Sequence, residues 1–296
     1  MKILVTGATD LIGSYITVRL AQEGHEVLAA CSRKVPALAK RAGVSCISMD
    51  MTRPESWPKQ LAGCDALIHV SHGWGATGPQ MLAADTATSV ALFEAARSAG
   101  VAQVIYTSST TANGEVDVLN DELRQNRPVD LFGATKAATE MYARAYAFSG
   151  GPRMQIVRPG YVFGEPIVKG CDAEFDQRFI HICRAVKRGI PIRLTQHDGT
   201  QFIHAHDVAE VYLSLLGFPE QFSIHYALSS EWVSWASIVE MAMEEAGESV
   251  PIQLDNRQYS PLPYLFDVRK IEEDFGLSFD NEERLRDHVR WALSLD

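Results

Sequence analysis

The chain opens MKILVTGATDLIGSY, and no other stretch limits its fold so tightly. Ile3, Leu4 and Val5 form an apolar run with strand character, Gly7 admits a tight turn, and Ile12, Ile16 and Leu20 recur at helical spacing. Strand, turn and helix thus follow one another without a linker. The same rhythm repeats through the first half of the chain: KILVTG, EVLAACS, SCISMD, ALIHVS, QVIYTSS and MQIVRP alternate with helix-spaced segments such as 84–99 and 134–148.

Uninterrupted apolar strands separated by helices predict an α/β fold, a doubly wound parallel sheet of the Rossmann type. After Gly164 the rhythm breaks, with Pro166, Pro191, Pro251, Pro261 and Pro263 as punctuation, and a smaller C-terminal lobe is expected there. One later stretch, QFIHAHDVAEVYLSLLGF, returns to strand-then-helix patterning. The expected division is residues 1–164 plus about 200–222 for the dinucleotide domain, and 165–199 plus about 223–296 for the lobe.

Composition narrows the partners. A net charge of -10 argues against a nucleic-acid partner, because phosphate binding needs clustered Lys and Arg. Five cysteines, at 31, 46, 64, 171 and 183, show no Cys-x-x-Cys pairing, so neither a zinc site nor a disulfide framework is expected and a reducing cytoplasm fits best. No apolar run approaches 18 residues, so no membrane span is expected.

A glycine-rich turn between first strand and first helix suits a dinucleotide, because the helix N-terminus offers unpaired N–H groups and partial positive charge to a pyrophosphate. Gly7 fills the role of the tight turn and Gly13 that of close helix–strand packing, with Thr9, Asp10, Leu11 and Ile12 between them. Asp10 stands where the middle glycine of such a turn would admit the phosphates. Either its carboxylate faces the phosphates, where like charges about 5 Å apart at an effective dielectric near 20 cost roughly 3 kcal/mol before screening, or it rotates outward or caps the following helix, taking the N–H groups an anion would use. Both readings predict weakened cofactor binding. Asp50, with Met51 after it, is placed to receive an adenine amino group, and Ser71 follows the fourth strand. The second strand ends Cys31, Ser32, Arg33, Lys34 with no acid to hold a ribose 2'-hydroxyl, which favours NADP over NAD; the alternative is that Arg33 and Lys34 are solvated charges.

The ordered pieces TGATDLIG, DALIHVS, VIYTSSTTANG, LFGATKAATE, RPGYVFGEP, QFIHAHDVA and FDVRKIEEDFGLSF resemble the extended branch of the short-chain dehydrogenase/reductase superfamily, the NAD-dependent epimerase/dehydratase family. That resemblance implies a nicotinamide cofactor across the carboxyl ends of the strands and a small-molecule substrate between two lobes. It also implies a catalytic Tyr and Lys four residues apart on one helix, with a Ser or Thr after the fifth strand. Residues at i and i+4 share a helix face, so the ammonium sits beside the phenol and lowers its pKa. Here the segment reads LFGATK, giving Phe132 and Lys136, and the phenol is missing. Ser109 matches the hydroxyl position, with Thr110 beside it.

Phe132 has no proton to move. Lys136 could still hold a cofactor ribose or, stripped of its proton, act as a base. Tyr161, in RPGYVFG, and His72, after the fourth strand, are the candidate replacements for the lost acid, against ordinary core packing for the tyrosine and solvation for the histidine. His204 and His206 lack a third ligand, so no metal is expected. Trp74, in SHGWGATGPQ, is either an aromatic platform on a lid or a buried loop anchor. Lys169, Arg178, Arg184, Lys187, Arg188 and Arg193 could meet a phosphate or carboxylate, or form a solvated helix face. The resemblance further implies dimerisation through helices, with Ala137, Ala138, Met141 and Ala145 as a small-residue face. Three functions follow: an NADP-linked epimerase, dehydratase or reductase of non-standard mechanism acting on a small hydroxyl or carbonyl compound, a nucleotide sugar among them; a cofactor-independent lyase or isomerase using Lys136 and Ser109; and a non-catalytic ligand sensor.

Overall fold

The computed structural model describes residues 1–31, 33, 35–171 and 177–295. Seven strands form its main sheet: β1 Lys2–Thr6, β2 Glu26–Cys31, β3 Val44–Ser48, β4 Ala66–His69, β5 Gln103–Thr107, β6 Arg153–Pro159 and β7 Phe222–Ala227. Every neighbouring pair is parallel and the order is β3-β2-β1-β4-β5-β6-β7. The order reverses between β1 and β4, and beyond the carboxyl ends at such a reversal the flanking loops diverge into a crevice.

The strand pleat sorts side chains onto two cores. Ile3 and Val5 face one, where they meet Ile16 and Leu20 of α1 (Leu11–Gln22) and Val208 and Tyr212 of α5 (Ala205–Leu215). Leu4 faces the other, with Phe93 of α2 (Thr88–Ser98) and Ala143 of α3 (Leu131–Phe148). Both faces of the sheet are covered, as the apolar runs predict. A third core joins Phe179 of α4 (Gln177–Lys187), Ile238 of α6 (Trp235–Ala246) and Val289 of α7 (Glu282–Ser294) in the smaller lobe.

The domain division differs from expectation at one boundary. Residues 223–227, expected in the smaller lobe, belong to β7, which pairs with β6 from Phe222–Met154 to Ala227–Pro159. FSIHYA carries His225 and Tyr226 at buried positions, so its apolar pattern is weak; the sheet accepts it because His225 Nε2 meets the Asp274 carboxylate at 2.8 Å, on the short helix Arg269–Phe275. Ile271 of that helix packs in the first core, so this segment too rests on the large sheet.

Preceding α2, the chain runs through an α-turn, Gly78–Met81, and a π-helical turn, Leu82–Ala87. Among the described residues no helix is long and apolar enough to cross a membrane, and no cluster of three or more His, Cys, Asp or Glu could hold a metal. None of the five cysteines forms a disulfide among the described residues.

Candidate active site

At the carboxyl edge of the sheet lies a cavity of about 560 Å³. Asp10, Leu11 and Ile12 line it from the first turn, His72 from the loop after β4, Ser109 from the loop after β5, and Phe132 and Lys136 from α3. A neighbouring cavity of about 920 Å³ shares His72 and adds Met51, Ser71, Trp74 and Asp85. Asp10, Leu11, Ile12, Met51, Ser71, His72, Trp74, Ser109, Phe132 and Lys136, singled out in the sequence, thus line two adjoining cavities.

The first turn is built as its glycines require. Gly7 has φ +64°, a left-handed conformation that glycine adopts without strain, and a Cβ there would meet the Ser71 backbone N at 2.7 Å. A Cβ at Gly13 would collide with the Gly7 carbonyl oxygen, so Gly13 is what lets α1 close on the turn. Thr9 is buried between them. Asp10 sits at the N-cap position of α1, but its side chain makes no capping hydrogen bond. Its Oδ2 instead lies 2.8 Å from where a Gly7 Cβ would be, and the residue lines the cavity. The structure thus overturns the capping alternative, because a side chain folded back over Gly7 does not reach the first-turn N–H groups.

The exit of β4 is locked from below. Thr6 Oγ1 and His69 Nδ1 lie 2.7 Å apart, His69 Nε2 and Ser89 Oγ 3.0 Å apart, and Thr6 Oγ1 also accepts from the Val70 and Ser71 N–H groups. Burial pushes the His69 pKa down to about 3, so the imidazole is neutral. This places Ser71, whose buried hydroxyl has no partner among the described residues, against the Gly7 turn.

On α3, Asp130 caps the helix by accepting from the Gly133 N–H at 2.7 Å, and a Cβ on Gly133 would strike the Thr111 carbonyl. One turn beyond Lys136, Glu140 accepts from Arg158 of β6 at 2.9 and 2.7 Å, from Asn126 at 2.8 Å and from the Ser108 hydroxyl at 2.5 Å. Both Glu140 and Arg158 are fully buried. This bidentate pair fixes the register of α3 against the sheet and so the position of Lys136.

Lys136 is itself buried, and its ammonium meets the Asp85 carboxylate at 3.3 Å. Burial pushes the Lys136 pKa below its ordinary value, with Asp85 pulling the other way. The π-helical turn carries Asp85 inward, where it also accepts from the Thr135 hydroxyl at 2.8 Å and the Gly73 N–H at 3.3 Å. Phe132 presents its ring 5.3 Å from Lys136 Nζ, 6.0 Å from the His72 ring and 5.9 Å from Trp74. The Trp74 residue is 71% exposed, so the buried-anchor reading of this loop fails and the indole forms part of the cavity rim.

Other candidates lie elsewhere. Tyr161 packs against Phe202 at 5.0 Å and Trp235 at 5.4 Å, and is not among the residues lining the cavity. Thr110 begins a short 3-10 turn, Thr110–Ala112, that Ser109 caps by accepting from the Thr111 N–H, and Thr110 does not line the cavity. Asp50 turns onto its own loop, accepting from the Thr52 N–H at 2.8 Å and hydroxyl at 2.6 Å. Arg33 donates to the Gly170 carbonyl at 3.0 Å, while Ser32 and Lys34 fall outside the described residues. In the smaller lobe Arg178 pairs with Asp198, Arg193 pairs with Asp255, and Lys187 donates to carbonyls of the C-terminal segment. His204 Nδ1 accepts from the His206 N–H and its Nε2 faces Glu165 at 3.4 Å, which is structural use of the ring.

Asp85 was not foreseen. The spacing Met81, Asp85, Ser89, Phe93 puts a carboxylate on the buried face of this helical stretch, and that was the signal available.

The NAD dependent epimerase/dehydratase family matches residues 3–227. A UDP-glucose 4-epimerase of Corynebacterium glutamicum is 25% identical over 321 residues, spanning 99% of this chain and 96% of that protein. Among solved structures, MoeE5 in complex with UDP-glucose and NAD is 25% identical with a TM-score of 0.81, covering 98% of both chains. UDP-glucose 4-epimerase of Thermotoga maritima with UDP-glucose superimposes with a TM-score of 0.82 at 20% identity, over 100% of both chains.

Proposed function

The chain belongs to the NAD-dependent epimerase/dehydratase family, and from that premise we propose that it binds a nicotinamide dinucleotide, NADP in preference to NAD, and acts on a small hydroxyl or carbonyl compound of the nucleotide-sugar kind by a route in which residue 132 moves no proton. The observation that carries this reading is the convergence of Asp10, His72, Ser109, Phe132 and Lys136 on one cavity at the strand-order reversal.

The residues fit the cofactor in shape. Gly7 and Gly13 themselves place no side chain in the turn, Ser71 keeps a hydroxyl without a partner among the described residues beside it, and Asp10 makes no side-chain cap to the first N–H groups of α1. The mismatch is one of charge, because Asp10 lines the same cavity. When bound, the dinucleotide would accept or donate the hydride. Ser109 accepts from both the N–H and the hydroxyl of Thr111, which leaves its own proton to donate to a substrate oxygen. His72, lining both cavities, is the proposed group to take or return a proton. Lys136 is held in a buried ion pair with Asp85, which opposes the lowering of its pKa by burial and occupies its nitrogen; this speaks against the cofactor-independent reading. NADP preference rests on the end of β2, which carries Arg33 and no acid. Five cysteines with no disulfide among the described residues fit a reducing cytoplasm.

Titration of the purified protein with NADPH and NADH, followed by nicotinamide fluorescence, tests the proposal. NADPH should bind more tightly than NADH, and Asp10→Gly should tighten both. Failure of either dinucleotide to bind the wild type and Asp10→Gly alike would sink the reading. Binding without turnover of any UDP-sugar, ketone or alcohol would favour the sensor.

A further inference from the structure

We propose that Asp85 is a positioning residue that neutralises Lys136, so that the ammonium of this site is spent on a buried carboxylate and is not available to acidify a group at position 132. Three helical positions at four-residue intervals, Phe132, Lys136 and Glu140, share one face of α3. Glu140 is occupied in a bidentate pair with Arg158, and Phe132 offers only a ring face 5.3 Å from Lys136 Nζ. Among the described residues, the carboxylate within ion-pair distance of Lys136 is Asp85, at 3.3 Å, and both side chains are almost wholly buried.

The groups facing this pair come from every element around it. His69 on β4 is neutral, Tyr106 on β5 presents its ring 5.3 Å from Lys136 Nζ, and His72 lies on the loop whose Gly73 N–H donates to Asp85. None of these supplies a second negative charge to Lys136. Low dielectric strengthens the Asp85–Lys136 attraction, and the opposite charges, 3.3 Å apart, cancel much of the field that Lys136 alone would project toward residue 132. The loss of the phenol and the presence of a buried counter-charge are therefore coupled: the negative partner of Lys136 comes from the π-helical turn instead of from α3. Restoring a tyrosine alone would not restore an acidic phenol.

The test uses dinucleotide-free protein, so it does not depend on whether the cofactor proposal holds. Tyrosinate absorbance is recorded against pH for F132Y minus wild type, and for F132Y/D85N minus D85N, so that the introduced phenol is isolated from the nine native tyrosines. In F132Y the phenol should titrate at or above the ordinary value of about 10, and adding D85N should lower its midpoint by about one pH unit, the effect of an unmasked neighbouring cation. Adding K136M to F132Y/D85N should raise it again, an effect that packing alone would not produce. A phenol already titrating below its ordinary value in F132Y, or a midpoint that D85N leaves unmoved, overturns the proposal. If D85N does not fold, the position of the F132Y midpoint against the ordinary value decides by itself.

Discussion

At the residue scale, one side chain sets the charge of the cavity and one buried ion pair fixes the helix beside it. Asp10 brings a carboxylate to the turn that would cradle a diphosphate, and it lines the cavity without capping α1. A like-charge pair at about 5 Å costs roughly 3 kcal/mol at an effective dielectric of 20 before screening; after screening, Asp10→Gly should tighten NADPH by at least about tenfold, about 1.4 kcal/mol, and the gain should shrink as salt rises, measured by fluorescence titration at two ionic strengths. Glu140 and Arg158 form the other decisive contact. Arg158→Met leaves a buried carboxylate without its cation, a loss of about 3–5 kcal/mol, which calorimetry should record as a lowered Tm even in the absence of ligand. The buried Glu140 was invisible as a functional signal because on a helix written LFGATKAATEMYARAYAF it reads as one more polar residue; only the strand packed against it supplies Arg158.

At the element scale, α3 does two jobs with opposite faces. Its inner face carries Lys136 and Glu140 to the sheet, while Leu131, Met141, Tyr142 and Phe148 on the outside are each about half exposed or more. Ala145 is exposed with them, whereas Ala137 is buried, so the small-residue face expected from the sequence is rotated toward larger side chains. The homodimer that the family resemblance implies would bury these side chains if it formed through this face. Met141→Glu should then shift the protein from dimer to monomer in light scattering without altering its circular dichroism; a wild type that is monomeric at every concentration removes the proposal. The helical stretch that ends in α2 shows the reverse lesson. Its apolar period was legible over 84–99, but the π-helical turn at Leu82–Ala87, which delivers Asp85 to Lys136, leaves no mark in apolar spacing.

At the scale of the whole molecule, buried titratable groups set the acid limit of stability. Burial lowers the His69 pKa to about 3 and the His225 pKa to about 4, the latter despite Asp274. The unfolded chain takes up these protons near 6.5, so it binds more protons than the folded state below that pH, and stability is lost as pH falls from 6.5 toward 4. Each histidine contributes up to about 1.4 kcal/mol per pH unit in that window. Glu122 works against them: burial raises its pKa to about 7, so between pH 4.5 and 7 the folded state holds a proton that the unfolded carboxyl has released. Two groups outweigh one, and Tm should fall between pH 6.5 and 5. His69→Gln, which keeps side-chain hydrogen-bonding capacity toward Thr6 and Ser89, should flatten that fall in a thermal-shift series.

By itself the sequence determined the parallel α/β architecture, the glycine turn and the absence of a phenol at 132, because these depend on local periodicity, on backbone freedom and on residue identity. It also marked Ser109, Lys136 and His72 as neighbours-to-be, through their places just beyond successive strands and on the helix that follows. Only the tertiary structure decided which way Asp10 turns, that Tyr161 belongs to an aromatic core, that β7 extends the large sheet, and that Lys136 is neutralised by Asp85. Each of those outcomes depends on a contact between segments far apart in the chain or on a side-chain rotamer, and neither leaves a periodic trace in the order of residues.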